Sequence, residues 1–221
     1  MIKFLAVQHT YQSIEIGLFN DKCLCAKITE DKIHASKNFI PLLNNFLKDH
    51  QLKLHDLSFL AANQGPGPFT TLRVVISSVN GLGFAANIPL VGVDGLAAFL
   101  DEQSQKNTQT TIVLLNAFAH DVYFGIQQGV SRRTGCANGD ALLAEIADIP
   151  SSILFVGNAV EMYRGKIEKA FGDRAIIPQP IAEHPTLEQI GINALAQWNN
   201  QQSTKQLLPL YLKQYSAVMP Y

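Results

Sequence analysis

Charge is scarce in this chain of 221 residues. Asp, Glu, Lys and Arg make up 16% of it, against roughly 25% in ordinary soluble domains, so more of its surface than usual is uncharged, which favours a face covered by a partner. The 17 basic and 18 acidic residues are spread evenly, with 8 and 9 of them in residues 1–104. Neither half is a basic tail, which argues against autonomous nucleic-acid binding. Cysteine is scarce too. Cys23, Cys25 and Cys136 are odd in number and form no Cys-x-x-Cys, so a reducing, cytoplasmic setting is expected rather than a disulfide framework. Cys23 and Cys25 lie two apart on an expected strand and share a face; packing is their expected role, ahead of redox chemistry. No apolar run approaches the roughly 18–20 residues of a membrane span, and the opening MIKFLAVQHT has no signal-peptide pattern. No membrane partner is expected.

Motifs for independent catalysis are also missing. The six histidines (His9, His34, His50, His55, His120 and His184) form no HExxH or HxxxH pair, and surface histidines far outnumber metal ligands. There is no GxSxG nucleophile elbow and no Gly-Lys-Ser/Thr after a glycine-rich turn. Asp56, Asp94 and Asp121 fall at expected strand edges, where capping is the ordinary job, and no carboxylate pair suggests a glycosidase or phosphatase. The sequence therefore assigns no catalytic residue, no metal site and no cofactor.

What is present is an α/β pattern. Hydrophobic residues make up 47%, enough for a chain this long to bury about 70% of its unfolded surface without disulfide or metal. Residues 3–8 are apolar, and 12–19 and 22–28 alternate, which predicts an antiparallel three-strand meander. An amphipathic helix follows over about 36–49, with Phe39, Leu42, Leu43, Phe46 and Leu47 on one stripe. Pro41 either kinks it or marks its true start. A strand at 57–62, a glycine-proline turn, a helix to about 86, a strand at 89–93 and a helix at 95–102 complete the first half. Residues 104–111 read as a linker. The pattern then restarts: strands at 111–115 and 122–127, a loop containing Gly and Arg, a helix at 141–147, a strand at 153–156, a helix at 159–171 and a strand at 175–177. A capped helix at 186–199 and a last strand at 210–212 end it. Two similar lobes are expected, residues 1–103 and 104–221, with the option that the C-terminal segment packs back on the first.

The turn Gly65-Pro66-Gly67-Pro68-Phe69-Thr70 joins a strand to a helix N-terminus. Such turns can cradle phosphate through free N–H groups, but Pro66 and Pro68 each remove one, so a rigid elbow is the better reading, with Thr70 or Thr71 as the cap. From Thr70 to Val93 the only charge is Arg73. Leu72, Val75, Ile76, Val79 and Leu82 form one apolar stripe, and Val74, Ser77, Ser78, Gly81 and Ala85 a second, smooth one opposite. A helix with no charged face is normally covered on both sides, and small residues admit a second helix at roughly 8–10 Å. That neighbour is either the helix carrying Leu42 and Phe46 or that helix together with a partner chain; the second is favoured.

Gly65-Pro66-Gly67-Pro68-Phe69-Thr70-Thr71-Leu72-Arg73, Asn80-Gly81-Leu82-Gly83-Phe84 and Ile88-Pro89-Leu90-Val91-Gly92-Val93 resemble the signature of the TsaB (YeaZ) family. Asn116-Ala117 with Asp121-Val122-Tyr123, and Pro209-Leu210-Tyr211-Leu212-Lys213, resemble later segments of it. The resemblance implies the two-lobed actin/Hsp70/sugar-kinase fold. It also implies a non-catalytic role in placing a threonylcarbamoyl group on the adenosine next to the anticodon of tRNAs reading codons that start with adenine. The implied partners are a TsaD-like subunit carrying the metal and the transfer chemistry and, through the complex, a TsaE-like ATPase, with tRNA contacted only indirectly or weakly. Pairing in the family uses N-terminal-lobe helices, which singles out Val74, Ser77, Ser78, Gly81, Ala85, Leu42 and Phe46 as partner-interface residues. Gly65, Pro66, Gly67, Phe69, Thr70 and Arg73 form the structural loop. Homodimerisation through the same surface is the main alternative, ahead of an M22-type glycopeptidase or a kinase of the same superfamily. The sequence departs from the family at Gln8-His9-Thr10, where Asp-Thr-Ser is usual, and at Pro68, Thr71, Asn116 and His120.

Overall fold

The expected meander forms one side of a mixed sheet. In the computed structural model, which describes residues 1–104 and 110–213, β1 (Lys3–His9), β2 (Ser13–Asn20) and β3 (Cys23–Asp31) are antiparallel neighbours. β4 (Phe59–Asn63) and β5 (Leu90–Val93) continue the sheet in parallel, in the order β3-β2-β1-β4-β5. Alternation along β1 sends Leu5 and Val7 to one face and Phe4 and Ala6 to the other. Helices α1 (Lys32–Asp49) and α2 (Phe69–Ala86) bury Phe39, Leu43, Phe46, Leu72, Val75, Ile76 and Val79 on the first face.

Local chemistry explains both helices. The Asp31 carboxylate accepts from the Ile33 and His34 N–H groups, so α1 starts before the expected residue 36. Asn38 leaves helical geometry (φ −120°) three residues ahead of Pro41, and the helix then continues through the proline: Pro41 goes with a kink, not a start. Helix α2 begins at Phe69 with Pro68 at its N-cap and no side-chain cap, so Thr70 and Thr71 lie inside the first turn instead of capping it. Its 18 residues have a mean hydropathy of 1.2, long and apolar enough to cross a membrane by length and composition alone. That corrects the expectation that no stretch comes near such a length; the sheet-facing stripe and the neutral outer face together raise the average. Cys23 and Cys25 are exposed on β3, the outer strand of the sheet, contrary to the packing expected of them.

A second sheet has the order β10-β9-β6-β7-β8, built from β6 (Thr110–Asn116), β7 (Asp121–Gln128), β8 (Ser131–Asn138), β9 (Ile153–Val156) and β10 (Ala175–Ile176). Helices α4 (Gly139–Glu145) and α5 (Val160–Phe171) bury Leu142, Leu143, Val160, Ile167 and Phe171 against it. Helix α3 (Gly95–Ser104) follows β5. β8 occupies the stretch expected to be a loop. It is a largely exposed edge strand with no apolar alternation, held by its pairing with β7 along Asp121–Gln128.

The chain forms two compact units, Met1–Phe99 with Pro185–Leu210, and Leu100–His184 with, among the described residues, 211–213. This differs from a single cut after residue 103. Helix α6 (Leu187–Asn199) packs on the Phe4 face of the first sheet, where Phe59 stacks between Phe4 and Trp198 at centroid distances of 4.4 and 4.7 Å. Residues 210–212 form no strand; Thr204 makes a single antiparallel bridge to Leu90. Of the expected linker, 105–109 lie outside the described residues, as does 214–221 of the tail. The α6 contact is tight: a Cβ on Gly191 meets the buried Phe19 ring at 2.3 Å. Gly191→Ala is expected to lower unfolding stability by about 1–3 kcal/mol through overpacking, read from urea midpoints.

Candidate functional site

Helix α2 separates two faces. Thr71, Leu72, Val75, Ile76, Val79 and Gly83 are buried. Phe69, Thr70, Arg73, Ser77, Gly81, Phe84 and Ala85 are exposed, while Val74 and Ser78 are half-buried. A Cβ on Gly81 meets nothing within 4 Å. Phe84, at 89% exposure, lies in the last turn of this outer face and belongs to neither stripe expected from the sequence. The Arg73 guanidinium sits 3.6 Å from the Phe69 ring centroid, a cation–π contact, which lays the helix's single charge along its first turn. Beyond Arg73 the outer face is thus uncharged and weakly apolar, built of small residues apart from Phe84.

Beside it, a groove of about 750 Å³ runs along α1, lined by Ile40, Pro41, Asn44, Lys48, Leu54 and Leu82 among others. Of the two α1 residues expected at an interface, Leu42 is half-buried against the core and Phe46 is buried within it. Phe46 is therefore removed from the candidate face: the turn of α1 that carries it points at the sheet. Exposed Ile40 and Pro41 present apolar surface instead, made available by the kink at Asn38.

The elbow entering α2 is fixed from beneath by a buried polar cluster. The Asn63 carboxamide accepts from the Gly65 N–H at 2.9 Å and donates to Gln8 Oε1 at 3.4 Å. Gln8 Nε2 donates to Glu15 Oε2 at 3.0 Å and to the Pro185 carbonyl at 2.8 Å. Glu15 is neutralised by Lys27 at 2.8 Å. The Gln64 carboxamide donates to the Leu208 carbonyl, and the Gln64 carbonyl accepts from the Leu210 N–H. Asn80 on α2 accepts from the Leu207 N–H and donates to its carbonyl, so the segment after α6 is laced to elbow and helix alike. Gly65 needs its freedom, with φ +106°.

His9 is buried under this elbow, and neither ring nitrogen has a hydrogen-bond partner of ordinary geometry among the described residues. Burial lowers its pKa to about 4, against a small opposing pull from the Asn63 main chain, so the ring is neutral at pH 7. A neutral ring fills the space under Gly67. A Cβ on Gly67 would come 2.5 Å from His9 Cε1. Gly67→Ala is expected to cost about 1–3 kcal/mol, and most of that cost should vanish in a His9→Ala background, a coupling measurable by a double-mutant cycle.

In the second unit, Lys213 Nζ pairs with Asp121 Oδ2 at 2.8 Å and donates to the Ala117 carbonyl at 3.1 Å. It thereby ties the two late segments singled out in the sequence to each other. Asn116 accepts from the Phe118 N–H, opening a turn in which Phe118, Ala119 and His120 all have φ near +60°. Among the described residues no three His, Cys, Asp or Glu side chains converge.

A family model described as TsaD, tRNA N6-adenosine threonylcarbamoyltransferase, matches residues 27–221. The tRNA threonylcarbamoyladenosine biosynthesis protein TsaB of Escherichia coli is 26% identical over 128 residues, 58% of this chain and 55% of that protein. The chain spans little more than half the length of such curated relatives. YeaZ from Pseudomonas aeruginosa superposes with a TM-score of 0.74 at 21% identity, covering 96% of this chain and all of the other. An N-acetylmannosamine kinase-like protein of Listeria monocytogenes gives 0.54 at 12% identity, covering 91% and 100%. These likenesses place the two mixed sheets and their helices in the actin/Hsp70/sugar-kinase fold. The chain belongs to the family of that TsaD model, among its TsaB (YeaZ) members.

Proposed function

We propose that this chain is the non-catalytic, activating subunit of a complex that transfers a threonylcarbamoyl group to the adenosine next to the anticodon of tRNAs reading codons that start with adenine. The partner is a TsaD-like catalytic subunit docking helix to helix on α2 and the α1 groove. A TsaE-like ATPase joins through the complex, and tRNA is contacted indirectly. The role needs no cofactor on this chain and is carried out in the cytoplasm. One observation carries the reading: an 18-residue helix whose outer face holds one charge, an exposed Phe84 and a glycine open to close approach. Such a face is complementary to a partner helix and of little use to water. Val74, Ser77, Ser78, Gly81 and Ala85 are its contact residues, with Phe84 and Ile40 added and Phe46 withdrawn. Gly65, Pro66 and Gly67 of the elbow set the angle at which α2 is presented; Phe69, Thr70 and Arg73, expected in the loop, belong to the first turns of α2 itself.

The neutral His9 and the charge-paired Glu15 leave the elbow without a free carboxylate among the described residues, which supports a positioning role over kinase or peptidase chemistry. The test is depletion followed by nucleoside mass spectrometry of bulk tRNA. Threonylcarbamoyladenosine is expected to fall and to return with the wild-type chain. Unchanged modification after depletion would instead favour a self-contained homodimer built on the same face.

A further inference from the structure

The two cysteines on β3 are not packed and not alone. β3 is the outer strand of its sheet, and its pairing with β2 slips between Leu18↔Ala26 and Phe19↔Leu24. Cys25 is therefore the extra residue of a β-bulge, a device that bends a strand and re-aims a side chain. Cys25 Sγ lies 3.6 Å from the Cys23 carbonyl oxygen, and both thiols are exposed and free. Cysteine is among the most buried residue types. Two of them turned to solvent at a bulge of the outer strand, while Leu24, Ala26 and Ile28 of the same strand pack inward, call for a chemical reason.

We propose that Cys23 and Cys25 form a reversible dithiol–disulfide site that reacts with small-molecule disulfides of the glutathione type. The Cys25 thiolate attacks one sulfur of the small disulfide, forming a mixed disulfide and releasing one small thiol. The Cys23 thiolate then attacks Cys25 Sγ, closing the Cys23–Cys25 bond and releasing the second. The two protein thiols lose two electrons and two protons, and the small disulfide takes them up. Cys25 is the attacking sulfur because it is the bulged residue. The neighbouring Cys25 also pushes the Cys23 thiol up. A bond closed across one intervening residue at the surface is of the labile kind that thiols reopen. Half-buried Cys136, pushed up chiefly by burial, is an internal control.

The full chain is equilibrated with mixtures of oxidised and reduced glutathione, quenched by alkylation and weighed intact and after digestion. The wild type is expected to lose two hydrogens in mass, retain no glutathione, map the bond to Cys23–Cys25, leave Cys136 alkylated and revert in reduced glutathione. Cys23→Ser should trap one glutathione on Cys25. Far-ultraviolet circular dichroism should be unchanged in that variant, since both side chains are exposed. Wild type that stays fully reduced, or that carries glutathione on either cysteine without the internal bond, would overturn the proposal, as would failure of folded Cys23→Ser to trap the adduct.

Discussion

Gly81→Arg is expected to weaken binding to the TsaD-like subunit at least about 100-fold, close to 3 kcal/mol, while the isolated chain stays as stable or gains. The two effects have opposite signs for separate reasons. Within the monomer, a Cβ at 81 meets nothing, and replacing glycine inside a helix recovers about 0.5–1 kcal/mol of propensity. At a close helix–helix contact the same substitution inserts a long charged side chain where only hydrogen had to fit, and buries it without a counter-charge. Titration calorimetry reads the first effect and urea unfolding the second. Gly165→Arg on α5, another helical glycine with open space around it, is the matched control and should gain stability without losing affinity. Equal binding by Gly81→Arg and wild type would take α2 out of the interface.

The second large effect concerns acid. His9 has a folded pKa of about 4 against an ordinary value of 6.5, so the fold prefers the neutral ring. Its contribution is fully present above pH 6.5, is lost as pH falls through the window from 6.5 to 4, and changes no further below that. The shift corresponds to about 3 kcal/mol over the window. Carboxylates titrate nearby in pH, so the readout is a difference against His9→Leu, which keeps similar volume and surrenders no hydrogen bond. At pH 7 the variant should lie within about 1.5 kcal/mol of wild type. By pH 4 it should have gained about 3 kcal/mol relative to it. Parallel urea midpoints in both proteins would show His9 to be solvated in the fold.

Strand alternation in 12–19 and 22–28 and the neutral run after Arg73 were legible because each follows from local periodicity. The resemblance supplied the fold type and the family. What was not legible depended on distant partners. β8, Ser-Arg-Arg-Thr-Gly-Cys-Ala-Asn, has no apolar alternation, since an exposed edge strand buries little and is defined by the backbone of β7. Nothing in the α6 sequence says that it returns to the first sheet; its apolar stripe would suit either sheet, and Gly191 against Phe19 is visible only in three dimensions. Leu42 and Phe46 share one stripe of α1, and how deeply each sits, Phe46 buried and Leu42 half-buried, depends on the sheet beneath them. Phe84 belongs to neither stripe of α2, and its 89% exposure is visible only in three dimensions. His9 was noted as a departure from the family pattern, but its burial and its unpartnered nitrogens come from the elbow folding over it.

The central claim is that the α2 face seats a catalytic partner. The direct measurement mixes the purified chain with the TsaD-like subunit of the same organism and determines mass by size-exclusion chromatography with light scattering. A stable one-to-one complex that forms with wild type and Gly165→Arg, and is lost with Gly81→Arg, is the predicted result. Two species that elute separately, with and without nucleotide, or a complex indifferent to Gly81→Arg, would contradict it.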